Sequence, residues 1–77
     1  MKAADQYFKF VLWSEVDQVY VGYCPDLFPW GGVCHASSEQ ETYGELCGLV
    51  QAEVAELTET GESLPEPQTR PMREAVR

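Results

Sequence analysis

The chain has 77 residues and a formal net charge of −8, from 13 acidic and five basic side chains. This length predicts a single domain that buries only about 60% of its unfolded surface and is therefore marginally stable. The acidic balance repels nucleic-acid phosphates and suits a basic partner protein, although solubility alone is the alternative explanation for such a charge.

Targeting signals and cysteines indicate the compartment. Met1 to Gln6 lacks the apolar core of a signal peptide, and no apolar run is long enough to span a bilayer. The three cysteines cannot all pair within one chain. We therefore expect a cytoplasmic protein with reduced thiols, a frayed end at Met1 to Gln6 and no membrane association.

Three strands are predicted in the first half of the chain. Tyr7 to Trp13 and Gln18 to Cys24 are rich in aromatic and β-branched residues and flank a polar loop. Pro25 cannot donate to a sheet ladder, so it ends the second strand. A short third strand is expected at Gly32 to Ala36, and the short connections favour an antiparallel meander. Gly22 in the second strand suggests a close approach by a neighbouring element.

A long amphipathic helix follows, predicted at Ser38 to Thr60. Ser38 with Glu41 matches a capping box, and Gly61 is the expected left-handed stop. Its apolar positions recur at helical spacing. They are Tyr43, Leu46, Cys47, Val50, Val54 and Leu57. At about 34 Å the helix is longer than a strand of about 23 Å, so either the tail or a second subunit must cover Val54 and Leu57.

The predicted fold is therefore α+β, with a three-stranded antiparallel meander packed by one long helix in the order β-β-β-α. A proline-rich C-terminal tail follows, in which Pro65 and Pro67 favour an extended segment. Residues 68–77 are expected to form a short helix or to stay loose. We divide the chain into a domain at residues 1–67 and a tail at residues 68–77.

The sequence offers little for catalysis. Its soft metal ligands are Cys24, Cys34, His35 and Cys47. They lack the paired spacing of a zinc site, so buried thiols and an ordinary histidine are the better interpretation. Cys34 and His35 are neighbours on a predicted strand and point to opposite faces, which is poor geometry for a nucleophile and its base. We expect no enzyme activity, no cofactor and no metal.

The apolar surface is more informative. One helix covers only one face of a three-stranded sheet, so we expect apolar side chains to remain on the other face. Exposed aromatic patches of this kind mark interfaces. The alternative is that the loop and the tail fold back over them. The side chains expected to remain are Tyr7, Val11, Trp13 and Tyr20, with Phe28 and Trp30 in the loop.

The stretch from Tyr20 to Leu27, a tyrosine-rich strand that ends in Cys-Pro-Asp-Leu, resembles the N-terminal domain of HicB-type antitoxins and short HicB-like proteins. The resemblance covers about residues 7–67. It continues through Gly32 to His35, the polar helix start at Ser38 to Glu41, the helix up to Gly61, and Leu64 to Pro67.

This resemblance implies a partial ribonuclease H fold and an inhibitor rather than a nuclease. HicB-like proteins bind a small basic toxin, HicA, which cleaves messenger RNA, and they block its active site. An acidic chain suits a basic toxin. HicB antitoxins usually carry a further DNA-binding domain, and no such pattern occurs before Arg77, so direct nucleic-acid binding is not expected. The predicted contact residues are Tyr20, Tyr23, Asp26, Phe28 and Trp30.

Two other functions remain open. The chain is alternatively a structural domain without a toxin partner, and a homo-oligomer, dimeric or larger, is expected in either case. A degenerate nuclease-like hydrolase would need Asp17, Asp26 and a helix glutamate around a divalent metal. Asp17 and Asp26 flank the predicted central strand at opposite ends, which disfavours this reading.

Overall fold

The computed structural model describes residues 3–68. Its three strands form one antiparallel sheet in the order β1-β2-β3, and one helix packs against that sheet. This confirms the predicted α+β meander followed by one long helix. The elements are a 3-10 turn at Ala3–Gln6, β1 at Phe10–Ser14, β2 at Val19–Tyr23, β3 at Cys34–Ala36 and α1 at Glu39–Thr60.

The first strand starts three residues later than predicted because the residues before it turn inward. Tyr7 is buried at 5% exposure, and its hydroxyl donates to the carbonyl of Pro65 at 2.6 Å. The Lys9 ammonium donates to the carbonyls of Ala4 and Tyr7, each at 3.2 Å. The expectation of a frayed start is therefore wrong for residues 3–6, where Ala4 is buried in the core.

The hairpin between β1 and β2 has a fixed register, in which Phe10 lies opposite Tyr23 and Ser14 opposite Val19. The backbone amide of Gln18 closes the loop by donating to the Ser14 carbonyl at 2.7 Å. On the other side of β2, the third strand is shorter than predicted, although the Val33 amide also donates to the Gly22 carbonyl at 2.9 Å.

Both ends of α1 lie where the sequence places them. Ser38 is the N-cap, and its hydroxyl accepts from the Glu41 amide at 3.1 Å. Gly61 has a φ of 81°, in the left-handed region that favours glycine. The Glu62 amide then donates to the Leu57 carbonyl at 2.9 Å, which satisfies one of the last helical carbonyls.

The core lies between α1 and the sheet. Leu46 and Val50 of the helix have no exposed surface, and Cys24 of the turn after β2 is equally buried. Val54 and Leu57 pack against this core cluster while staying half-buried. The remaining buried members are Ala4, Tyr7, Leu27, Phe28 and Thr42.

The tail returns to the body of the domain at two points. Besides the Tyr7 bond to Pro65, the Gln68 amide donates to the Asp26 carboxylate at 3.1 Å. Two separate points therefore hold residues 65–68 beside the start of β1 and the turn after β2. The expected short helix or loose end at residues 68–77 lies, apart from Gln68, outside the described residues.

Replacing Tyr7 with phenylalanine should lower the free energy of unfolding by about 1 kcal/mol, because the Pro65 carbonyl loses its buried donor while the ring still packs. Urea denaturation followed by tryptophan fluorescence measures this change. Tyr43→Phe, on the 43%-exposed tyrosine of α1, is the matched control and should change stability by less than about 0.5 kcal/mol. Equal losses in both variants would show that the tail is not held by this bond.

Candidate protein-interaction surface

The two faces of the sheet differ in what packs on them. A Cβ built on Gly22 would lie 3.1 Å from the Cys34 sulfur and 3.3 Å from Leu46 Cβ, so the helix sits directly over this glycine. The Thr42 hydroxyl of α1 also donates to the Tyr20 carbonyl of β2 at 3.3 Å. The helix therefore covers the face on which the side-chain positions of Tyr20, Gly22 and Cys34 lie.

This arrangement corrects the prediction of which apolar side chains the helix leaves uncovered. Val11 lies opposite Gly22, and Trp13 lies opposite Tyr20. The side chains of Val11, Trp13 and Tyr20 therefore point to the helix-covered face, and Tyr7 lies in the core. The alternate residues are the ones left on the other side, which we call the open face. The open face consists of Phe8, Phe10, Leu12, Val19, Val21 and Tyr23.

The open face is apolar and ordered. The ring of Phe10 stacks on Phe8 at 5.0 Å and on Tyr23 at 4.9 Å between centroids. Phe8 is 45% exposed and Leu12 is 55% exposed, while the other members are half-buried. Among residues 3–68, no helix or strand packs on this side, and Phe8 and Leu12 are the members most exposed to water.

One border of the open face is a shallow depression of about 520 Å³ along β2 and β3. Val19 and Val21 line it on the strand side, and Asp17 and His35 line it as polar groups. Gly32 closes its end, since a Cβ built there would lie 2.7 Å from a methyl of Val21. The apolar surface is therefore continuous with a recess that carries one carboxylate and one imidazole.

The five predicted contact residues lie in different environments. Tyr23 belongs to the open face, and Trp30 is 74% exposed in the loop that follows. Phe28 meets the Trp30 ring edge-on at 5.5 Å but is only 8% exposed, so it belongs to the core. Tyr20 meets the Trp13 ring edge-on on the helix-covered face, and the Asp26 carboxylate accepts a hydrogen bond from the Gln68 amide. The structure thus joins Phe28 with Trp30 and leaves the others apart.

The sequence analysis missed five members of the open face, namely Phe8, Phe10, Leu12, Val19 and Val21. The signal that would have found them is Gly22. A strand position without a side chain is where a helix can approach most closely, so the residues on either side of it point away from the helix.

The charged side chains of the domain are almost all negative. Residues 3–68 contain twelve acidic side chains against Lys9 as the single lysine or arginine. Six of the acids are glutamates of α1. The Lys9 ammonium already donates to two backbone carbonyls, so its charge is held at the start of β1. The domain therefore attracts cations and basic proteins from a distance.

The thiols and acids do not assemble into a reactive group. Cys24 is fully buried, as predicted, while Cys34 and Cys47 are half-buried. Burial raises the pKa of both the Cys24 and the Cys34 thiol, which keeps them protonated and poorly nucleophilic at neutral pH. Within residues 3–68, no three side chains of His, Cys, Asp or Glu lie close enough together to hold a metal ion.

Raised pKa values predict alkaline destabilisation. Burial raises the pKa of Cys24 above its ordinary 9.0 and, with the nearby Asp26 charge, raises the pKa of Tyr7 above 10.0. The unfolded chain therefore loses these protons first, so stability is fully present below about pH 9 and falls as pH rises further. Urea midpoints at about pH 8 and pH 10 measure the loss. The decline should be shallower in Cys24→Ala, and an unchanged slope would contradict this assignment.

Of residues 3–68, no helix has the length and apolar character needed to cross a bilayer. Comparison with protein-family models, curated proteins and solved structures finds no match. What the fold and the surface define is a small α+β domain with one uncovered apolar sheet face and an acidic body.

Proposed function

We propose that this chain is a protein-interaction domain of the HicB-like antitoxin type, which binds a small basic protein through its open face. The observation that carries this proposal is the open face itself. A three-stranded sheet of a small domain exposes stacked aromatic rings and a 55%-exposed leucine on one side. Apolar patches of this kind mark sites of protein association.

The dimensions of the open face suit the centre of an interface. Five-residue strands are about 17 Å long, and three strands with their side chains span about 15 Å, which gives roughly 250 Å². A stable interface buries about 800 Å² on each partner. The open face therefore supplies the apolar centre, and the surrounding polar and acidic residues supply the rim.

The charge supports a basic partner. Twelve acids in residues 3–68 would steer a positively charged protein toward the domain and speed association at low ionic strength. A HicA-type toxin that cleaves messenger RNA has this chemistry, because it must itself bind phosphates. Blocking its RNA-binding surface with an acidic domain would inhibit it without any catalysis by this chain. The stretch from Tyr20 to Leu27 resembles HicB-type antitoxins, and the order of the strands and the helix agrees with that resemblance. Both observations favour this class of partner.

The test compares two leucines with opposite locations. Leu12 lies on the open face at 55% exposure, and Leu49 lies on α1 at 38% exposure. The full chain and its Leu12→Asp and Leu49→Asp variants are titrated with a purified small basic protein of the HicA type. Leu12→Asp should weaken binding about 30-fold or more, as loss of a central interface residue does, and Leu49→Asp should not.

A messenger-RNA cleavage assay completes this test. The unmodified chain and Leu49→Asp should suppress cleavage by the basic protein, and Leu12→Asp should not. Binding that is equal in both variants would remove the open face from the interaction. A basic protein without RNA-cleaving activity would remove the antitoxin role and leave the interaction domain.

A structural homo-oligomer without a toxin partner is the second candidate. It is favoured by the outer edge of β1, which has no backbone hydrogen-bond partner among residues 3–68. An unprotected apolar edge strand pairs readily with another copy. Light scattering over a dilution series tests this candidate, since a structural oligomer stays associated on dilution and dissociation into monomers would remove it.

A further inference from the structure

The two edges of the sheet differ in how well they are protected against pairing. The strand order β1-β2-β3 makes β1 and β3 the edge strands among residues 3–68. β3 has only three residues, and a very short edge strand is one of the ways in which proteins block an edge. β1 has five residues, Phe10–Ser14, and contains no charged residue, proline or glycine. Of the two edges, β1 is therefore the one that can accept another strand.

A depression of about 500 Å³ runs beside this edge on the helix side. Its lining comes from β1 and from the first two turns of α1, namely Phe10, Val11, Glu39, Gln40, Tyr43 and Gly44. Gly44 leaves room there, since nothing lies within 4 Å of a Cβ built on it, and the Tyr43 ring is 43% exposed. The edge of β1 therefore offers a recess for an apolar side chain in addition to its backbone hydrogen-bonding groups.

A second copy of β1 fits this edge in one antiparallel register. Antiparallel pairing of two identical edges places the two-fold axis perpendicular to the sheet, so both open faces lie on the same side. Because side chains alternate along a strand, each residue must then face one of the same set. Only pairing centred on Leu12 brings all five residues of one strand opposite five residues of the other. Leu12 then faces Leu12, Phe10 faces Ser14, and Val11 faces Trp13.

This register places an exposed side chain against the depression. Trp13 of the second copy lies across from Val11, which lines the depression. Trp13 is 46% exposed, so its indole has surface left to bury, while its ring nitrogen donates to the Glu15 carboxylate of its own chain at 2.7 Å. Aromatic and β-branched residues that face each other across neighbouring strands stabilise a sheet. By symmetry the contact occurs twice, which makes the edge complementary to itself.

The same register also pairs the charges at the ends of β1. Lys9 precedes the strand and Glu15 follows it, so each Lys9 position lies across from the Glu15 position of the second copy. The Lys9 ammonium uses two of its three donors on backbone carbonyls of its own chain, which leaves one for this pair. Residues 9–15 contain no other charge, so the joined strands oppose no like charges.

We propose that two copies of this chain pair through the outer edges of β1, antiparallel and centred on Leu12, and form one six-stranded sheet. Both helices then lie on one side of that sheet, and the two open faces join on the other side.

The size of this contact sets its strength. The paired segment of residues 9–15 is about 23 Å long and the helix and sheet layers together are about 20 Å thick, so each copy buries roughly 460 Å². A stable interface buries about 800 Å² on each partner, so this dimer is weak and reversible. It uses the edge of the sheet and not the open face, and it stands whether or not the proposed function is correct.

Cysteine crosslinking of the full chain tests the register. Under mild oxidation Leu12→Cys should form a linked dimer by itself, because facing Cβ atoms lie about 5 Å apart. Phe10→Cys alone and Ser14→Cys alone should not, since each position lies about 13 Å from the same position of the second copy. A mixture of these two variants should crosslink. The unmodified chain gives the background from the three native cysteines. Any other pattern would overturn the proposed register.

Sedimentation equilibrium of the full chain measures the affinity. Val11→Asp places a carboxylate at the paired edge and should raise the dimer Kd at least about tenfold. Leu49→Asp adds the same charge on α1, at a residue that does not line the depression, and should change the Kd less than about threefold. Circular dichroism checks that both variants are folded. Equal Kd values for the two variants, or a monomer at every concentration, would overturn the proposal.

Salt separates this dimer from binding of a basic partner. Each copy carries a formal charge of −8, so two copies repel one another. Raising the ionic strength from about 0.05 M to about 0.5 M screens this repulsion and should tighten the dimer, whereas it should weaken the binding of a basic protein. A dimer that dissociates as salt is added would contradict edge pairing. No other protein is present in these measurements, so their failure would leave the proposed function untouched.

Discussion

Leu46→Ala should lower the free energy of unfolding by about 2–5 kcal/mol, which is the usual loss when a fully buried leucine is truncated. Leu46 has no exposed surface, and its side chain lies against the Gly22 position at the centre of the helix–sheet contact. A domain of this size has a total stability on the order of 4–11 kcal/mol, so the variant should be largely unfolded in moderate urea.

Leu49→Ala is the matched control, since it makes the same change three residues further along the same helix. Leu49 is 38% exposed and should lose about 1 kcal/mol or less. Urea denaturation followed by tryptophan fluorescence and by circular dichroism gives both values. Equal losses at the two positions would mean that the helix packs with a different side against the sheet.

Gly22→Val is the second substitution with a large expected effect. A Cβ at this position would already approach the Cys34 sulfur to 3.1 Å and Leu46 Cβ to 3.3 Å, and valine adds two further methyl groups. We expect a loss of about 1–3 kcal/mol from overpacking, even though valine favours strands more than glycine does. The midpoint of urea unfolding measures it.

Gly48→Ala is the control for this substitution. Nothing lies within 4 Å of a Cβ built on Gly48, so alanine there should raise stability by up to about 1 kcal/mol through helix propensity alone. If Gly22→Val were as stable as the unmodified chain, the helix would not lie over Gly22. The open face would then be assigned to the wrong side of the sheet.

The helix was predictable almost to the residue because its signals are local. The Ser38 cap and the Gly61 stop each act within a few residues of the helix end, and both are present in the structure. The strand ends were less predictable because distant contacts set them. Tyr7 has the composition of a strand residue, yet its bond to Pro65, 58 positions away, draws it into the core.

The covered side of the sheet was not predictable from hydrophobicity. Alternate residues of β1 and β2 point to opposite faces of the sheet, and the residues on both faces are largely apolar. The hydrophobicity of the sequence therefore does not distinguish the face that the helix covers from the face that it leaves open. The deciding feature is the small volume at Gly22, which lets Leu46 approach and turns Val21 and Tyr23 to the other side. Steric fit, not the amount of apolar surface, selects the face that the helix covers.

The two aromatic residues of the loop after β2 were also not separable by sequence alone. Phe28 and Trp30 are two positions apart in an apolar loop, and sequence alone treats them alike. The Phe28 amide donates to the Cys24 carbonyl at 2.8 Å, and this turn places the Phe28 ring in the core while Trp30 stays 74% exposed. The geometry of this turn, which the sequence analysis did not predict, separates a core residue from a surface residue.

Site-specific photo-crosslinking in the living cell tests most directly whether the open face is where this protein meets its partner. A benzophenone amino acid replaces Leu12 in one variant and Leu49 in the other, so that the same probe reports from the open face and from the helix. We predict a crosslink to one small basic protein from position 12 and none from position 49. Crosslinking from position 49 alone, or from neither position, would contradict the open face as the docking surface.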